Sequence, residues 1–249
     1  MESTKILLFI FTSIKIIVVF YLAGLLYSKW RKQSKRYLSD FPCLMSELFA
    51  LYGITKIFDV FLYVFGNTSQ IVMNSDSNSV IMVILGRLRI FLGTLAMVPL
   101  LLLMLEIWIP GKRKLSLGLG IGWVLLGITG TIISQTYIHL LIFLGIIVSG
   151  PILFAIISFI IIHHTRKLSQ LNCRLLALGW SIFLILQTIR PIWKNMGLSG
   201  TWGLTWIGEL LDIFALIIIG IGFLTHASYS KRKKQSYMKT SLFEEAELK

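Results

Sequence analysis

Two pairs of ionisable residues stand out because each sits in an otherwise apolar stretch: Lys56 with Asp59, and Glu209 with Asp212. Both pairs are spaced i, i+3, which on a helix places the two side chains on one face. Arg87 and Arg89 open a third apolar stretch, and Arg190 closes another, just before Pro191. Lys15 lies alone in the middle of the first. Carboxylates and cations of this kind can do two things in a low-dielectric setting. They can line a water-filled cavity that accepts a small polar or anionic ligand, or they can pair with one another and tie helices together.

Other chemistries find no support in the residues. There is no His-Glu-x-x-His motif, and His139, His163, His164 and His226 fall at the ends of different segments, so neither metal nor haem is expected. The last apolar stretch lacks a lysine for a retinal Schiff base, and no Ser, Cys or Asp constellation suits intramembrane hydrolysis. Cys173 has Arg174 beside it but no positioned base. No cofactor and no enzymatic activity are expected.

What must position these residues is a set of membrane spans. Of 249 residues, 56% are hydrophobic and 14% charged, whereas a soluble domain carries about a quarter of its residues as charges. An apolar helix of about 20 residues crosses a ~30 Å hydrocarbon layer. Seven stretches meet that length: Ile6 to Tyr27, Cys43 to Phe65, Val80 to Pro110, Leu115 to Ser134, Leu140 to Ile162, Leu175 to Trp193, and Leu204 to Thr225. The expected fold is therefore all-α and polytopic, with a seven-helix bundle over 1–228 and a basic tail over 229–249. The loops leave no room for a separate soluble catalytic domain. The third span, closed by Pro110-Gly111, is expected at the bundle centre. The first is read as a retained span and not a signal peptide, since it ends in SKWRKQSKR with no small-residue cleavage site.

The formal charge of +13 is concentrated in short blocks beside the spans. This is a topological pattern, and nucleic acid is not an expected partner. One set of alternate loops holds Lys29, Arg31, Lys32, Lys35, Arg36, Lys112, Arg113, Lys114, Arg166, Lys167, Lys231, Arg232, Lys233, Lys234 and Lys239, and the other set holds only Lys5 and Lys194. Because basic loops stay in the cytoplasm, the N-terminus is expected outside and the C-terminus inside a cell membrane crossed several times. The sequon Asn67-Thr68-Ser69 then falls outside, close to the bilayer. Cys43 and Cys173 fall on the reducing side, where a disulfide is not expected. The basic cluster at 231–234 suits an anionic inner leaflet, and Ser241 with Glu244 fits a capping box for a short helix. That tail is either solvated or a contact for a cytoplasmic signalling protein.

Gly118, Gly120, Gly122, Gly127 and Gly130 crowd the fourth span. No strand precedes them and no Lys-Ser/Thr follows, so they read as a small-residue face for close helix packing and not as a phosphate loop. Pro99 and Pro151 each remove a backbone donor within a span, where a kink is expected.

With this topology, Asp59, Glu209 and Asp212 share the outer half with Arg87, Arg89 and Arg190, with Lys15 and Lys56 deeper. Trp202 and Trp206 form a roof. Arg87 and Arg89 point about 200° apart, so at most one faces the interior squarely. The candidate ligand-binding set is Lys56, Asp59, Arg87, Arg89, Arg190, Trp206, Glu209 and Asp212. The alternative reading pairs these charges across spans two, three, six and seven, leaves Arg87 snorkelling to headgroups and makes the tryptophans an aromatic belt.

Three segments, RIFLGTLAMVPLLLLMLE (89–106), CRLLALGWSIFLILQTI (173–189) and WIGELLDIFALIIIGIGFLTH (206–226), carry a resemblance to the seven-span sensory modules that precede some prokaryotic histidine kinases. The resemblance implies a ligand-sensing bundle whose last span feeds a cytoplasmic kinase. Here about twenty residues follow that span, so signalling would pass to a separate partner. The expected function is a receptor or sensor for a small polar ligand. One alternative is a small transporter using Lys15, Lys56 and Asp59 at the midplane, with an echo between LRIFLG and CRLLALG as a trace of repeated halves. The other is a structural subunit without a ligand.

Overall fold

The computed structural model describes residues 2–35, 37–38, 40–65, 80–133, 137–165, 168, 171–196 and 205–226. Within them the chain forms seven α-helices: α1 (Glu2–Arg31), α2 (Phe41–Phe65), α3 (Val80–Trp108), α4 (Arg113–Ile133), α5 (Tyr137–Thr165), α6 (Cys173–Met196) and α7 (Thr205–Leu224). Six of them, α1 to α5 and α7, are long and apolar enough to cross a membrane. In α6 the apolar run among the described residues is Cys173–Ile189. The fold is thus all-helical and of the multi-pass membrane type. The tail from 229 and the sequon at 67–69 lie outside the described residues.

Local signals set the helix ends. Asp40 caps α2: its main-chain oxygen accepts from the N–H groups of Cys43 and Leu44, and its carboxylate accepts from the Tyr37 N–H at 2.9 Å. Gly111, at φ 81°, takes the left-handed conformation that ends α3. Asn172 opens α6 by accepting from the N–H groups of Leu175 and Leu176. Pro99 and Pro151 lie inside α3 and α5, which continue through them.

The helices pack in a ring ordered α1, α2, α3, α5, α6, α7 and back to α1, with α4 outside against α3 and α5. Thus α3 is part of the wall, and the central place expected for it alone is not observed: α3 and α5 each touch three other helices, because α4 needs two partners for its one packed side. The most enclosed helices are α2 and α7. The apolar core joins Leu22 and Leu26 of α1, Met45 and Phe49 of α2, Leu100 and Met104 of α3, Phe159 of α5, Trp180 of α6, and Leu216, Ile219 and Phe223 of α7. No residue of α4 belongs to it.

Contacts along each pair give helix directions. Ser46 bonds to the carbonyl of Ala23 while Gly53 meets Phe20, so α2 runs antiparallel to α1. Phe11 stacks on Trp206, Lys15 meets Glu209, Leu22 meets Gly220 and Lys29 meets Phe223, so α7 runs parallel to α1. The start of α1 and the end of α7 therefore lie at opposite ends of the bundle.

The glycines of α4 divide. A Cβ at Gly127 would lie 2.3 Å from Thr94 Cγ2, and one at Gly120 would lie 3.2 Å from Leu102, so these two admit α3 closely. Gly118 and Gly122 face open space. Instead of forming one continuous packing face, the run alternates around the helix, as 3.6 residues per turn requires. The tightest backbone approach is between α6 and α7. There a Cβ at Gly179 would lie 3.0 Å from the Ile219 nitrogen, and one at Gly222 would lie 3.1 Å from the Leu176 nitrogen.

Candidate functional site: a buried ionic chain

Near the end of the bundle that holds the start of α1, five helices bring charged or amide side chains into one layer. Lys15 Nζ (α1) donates to Glu209 Oε2 at 2.8 Å and to Asp212 Oδ2, both on α7. Lys56 Nζ (α2) donates to Asp59 Oδ2 at 2.7 Å and lies 3.7 Å from Glu209 Oε1. Arg89 Nε (α3) donates to Asp59 Oδ1. Gln187 Nε2 (α6) donates to Asp212 at 3.1 and 3.3 Å. The result is a continuous chain running Arg89, Asp59, Lys56, Glu209, Lys15, Asp212, Gln187.

Its formal charges, three of each sign, cancel. Ionised groups in a low-dielectric interior persist only if paired and hydrogen-bonded, and alternation of sign along the chain gives every charge an opposite neighbour. The side chains of Lys15, Glu209 and Asp212 are fully buried, those of Asp59 and Lys56 are 2% and 3% exposed, and that of Arg89 is 31% exposed. Arg89 is thus the most exposed of the six charged members.

Aromatic groups complete the setting. The Tyr52 ring lies between the two ammonium groups, 5.4 Å from Lys15 Nζ and 5.5 Å from Lys56 Nζ, and adds a cation–π attraction to each. Its edge meets Phe183 of α6. One turn toward the helix start from Lys15, Phe11 stacks on Trp206 with centroids 5.6 Å apart, which covers the Lys15–Glu209 contact from that end.

Of the residues expected from sequence, Lys56, Asp59, Arg89, Glu209 and Asp212 come together, with Trp206 beside them. Arg87 does not join them: it is exposed on α3, since two residues along a helix turn the side chain by about 200°. The Arg190 side chain and all of Trp202 lie outside the described residues. The expected outward-open, water-filled cavity contrasts with carboxylates that are at most 2% exposed, because each already has its counter-ion.

Three members of the layer escaped the expected set. Lys15 counts as too deep by sequence position, but helical side chains lean toward the helix N-terminus, and a lysine reaches most of a turn along that lean. Tyr52 precedes Lys56 by one turn, and that spacing is its only sequence signal. Gln187 is neutral, so no search for charges finds it.

At the opposite end, Lys29 Nζ donates to the Phe223 carbonyl at 2.8 Å, and the Asn172 N–H donates to the Gly222 carbonyl at 3.0 Å. These bonds satisfy the otherwise orphaned last turn of α7. Helix α7 is therefore held to α1 at both ends. Cys43 and Cys173 are buried free thiols. No protein-family model matches the chain, and no curated protein or solved structure matches it.

Proposed function

We propose that this chain is a multi-pass membrane receptor or sensor whose responsive element is the buried ionic chain. A small polar or anionic ligand competes with Asp59 for the Arg89 guanidinium. Loss of that partner frees Lys56 from its alternating register, alters Glu209 on α7, and shifts α7 against α1. The single observation that carries this reading is that Arg89 alone among the six charged members is substantially exposed, at 31% of its side chain. Trp206 borders the approach in this reading, and Arg87 draws anions toward it from the surface.

The same reading takes all seven helices as spans, with the N-terminus outside and the C-terminus in the cytoplasm of the cell membrane. The excess of basic residues in one set of alternate loops supports that orientation, and the parallel run of α1 and α7 supports an odd number of crossings. The end of α7 then delivers the change to the tail, its anionic leaflet and a separate signalling partner. The resemblance to kinase-linked sensory modules supports the same class.

The test uses the purified chain with a panel of small carboxylates and phosphates. The expected outcome is a ligand-dependent rise in Tm that Arg89→Gln abolishes, with no flux of that ligand into proteoliposomes. A transporter is the second reading, favoured by a membrane-depth lysine shared between two carboxylates; flux that Lys15→Met abolishes would establish it in place of the first. No shift and no flux for any probe would leave the ionic chain a scaffold and overturn both.

A further inference from the structure

At the corner where α3 turns into α4, the surface opens into a groove of about 710 Å³ lined by Gly111, Lys112, Lys114, Leu115 and Leu117. That volume is within the range of sites for small ligands. Among the described residues its polar lining is two exposed lysines, with no carboxylate. Helix α4 starts here, so the positive end of its dipole adds to the two ammonium charges. The remaining wall is apolar and does not stop at the groove. Leu117 and Ile121, one helical turn apart and on the same side as Lys114, are each 53% exposed and continue it along α4. Gly118 and Gly122 leave open space on the same helix.

We propose that this groove is a binding site for one anionic phospholipid. Its phosphate is held by Lys112 and Lys114, and its acyl chain lies along Leu117 and Ile121 of α4. Charge selects the occupant: a soluble anion would use the lysines but make no contact with the apolar wall, and a zwitterionic lipid would bring its own cation to the ammonium groups. The position outside the six-helix ring matters as well, because α4 packs on α3 and α5 and a lipid fills its outer side without disturbing the core.

The full-length protein, stripped in neutral detergent and titrated with phosphatidylglycerol, phosphatidylcholine or glycerol 3-phosphate, provides the test, read by native mass spectrometry and Tm. One phosphatidylglycerol is expected to remain bound and raise Tm, with little retention of phosphatidylcholine or glycerol 3-phosphate. Replacing both lysines (K112Q/K114Q) should weaken that binding roughly 30-fold, the loss expected for two surface charges. K112R/K114R should restore it and show that the fold survives. Equal retention by K112Q/K114Q, or loss caused instead by K233Q/K234Q in the tail, would overturn the proposal. Binding of glycerol 3-phosphate as tight as that of the lipid would overturn it too, by making the groove a plain phosphate site.

Discussion

Lys15 is the residue on which the others depend most, because its ammonium group is shared by two buried carboxylates. Removing one partner of a buried ion pair typically costs about 3–5 kcal/mol, since the remaining charge stays uncompensated. Lys15→Met is therefore expected to destabilise the protein by about that much in thermal or denaturant unfolding. Combining it with Asp212→Asn restores electroneutrality, and the double variant should recover a substantial part of the loss. Simple additivity in that cycle would show that the two side chains are not coupled. Asp59→Asn separates site from scaffold in another way. If Arg89 is the ligand contact, the variant frees its guanidinium and ligand affinity rises even as stability falls, whereas a purely structural pair lowers stability alone. Both outcomes can be read from one titration followed by Tm.

At the scale of elements, close helix approach depends on which glycines face a neighbour. Gly127→Ala places a methyl against Thr94, whose β-branched side chain is further held by its bond to the Ile90 carbonyl. A loss of about 1–3 kcal/mol is expected, as for overpacking, with rescue by Thr94→Ala. Gly118→Ala and Gly122→Ala meet open space and should leave Tm unchanged or raise it, through better helix propensity. Gly222→Ala should be the most damaging of the series, because the obstacle includes Leu176 backbone that cannot rotate away.

The same residues show how far the sequence carries. Apolar run length made the helices legible, and i, i+3 spacing made the Lys56–Asp59 pair legible, because both are properties of a single helix. Which faces meet is a property of two helices. Hence the crowded glycines of α4 drew attention while Gly179, isolated in α6, and Gly222, in a short Gly-Ile-Gly of α7, form the tighter approach. Lys15 and Glu209 likewise carry no common local signal, since their pairing arises only once α1 and α7 lie side by side.

For the whole molecule, the ring order and the parallel run of α1 and α7 lead to a topological prediction. Single cysteines introduced at Ser77 and Lys233, in a background with Cys43 and Cys173 replaced by serine, should label from opposite sides of the membrane. Ser77→Cys should react with an impermeant reagent outside, and Lys233→Cys only after permeabilisation. Reaction of both from one side would remove the depth assignment and, with it, the outward route to Arg89.

The shared ammonium of Lys15 also has a bearing on biogenesis. It is inserted with α1, while Glu209 is 194 residues downstream. At roughly 5–20 residues per second, the counter-ions arrive about 10–40 s later. During that interval α1 must hold its cation at the headgroups or against the insertion machinery, and it can settle to its final depth only once α7 has been made. Chains truncated before Thr205 would keep this segment waiting indefinitely and should be cleared by membrane quality control faster than the finished protein.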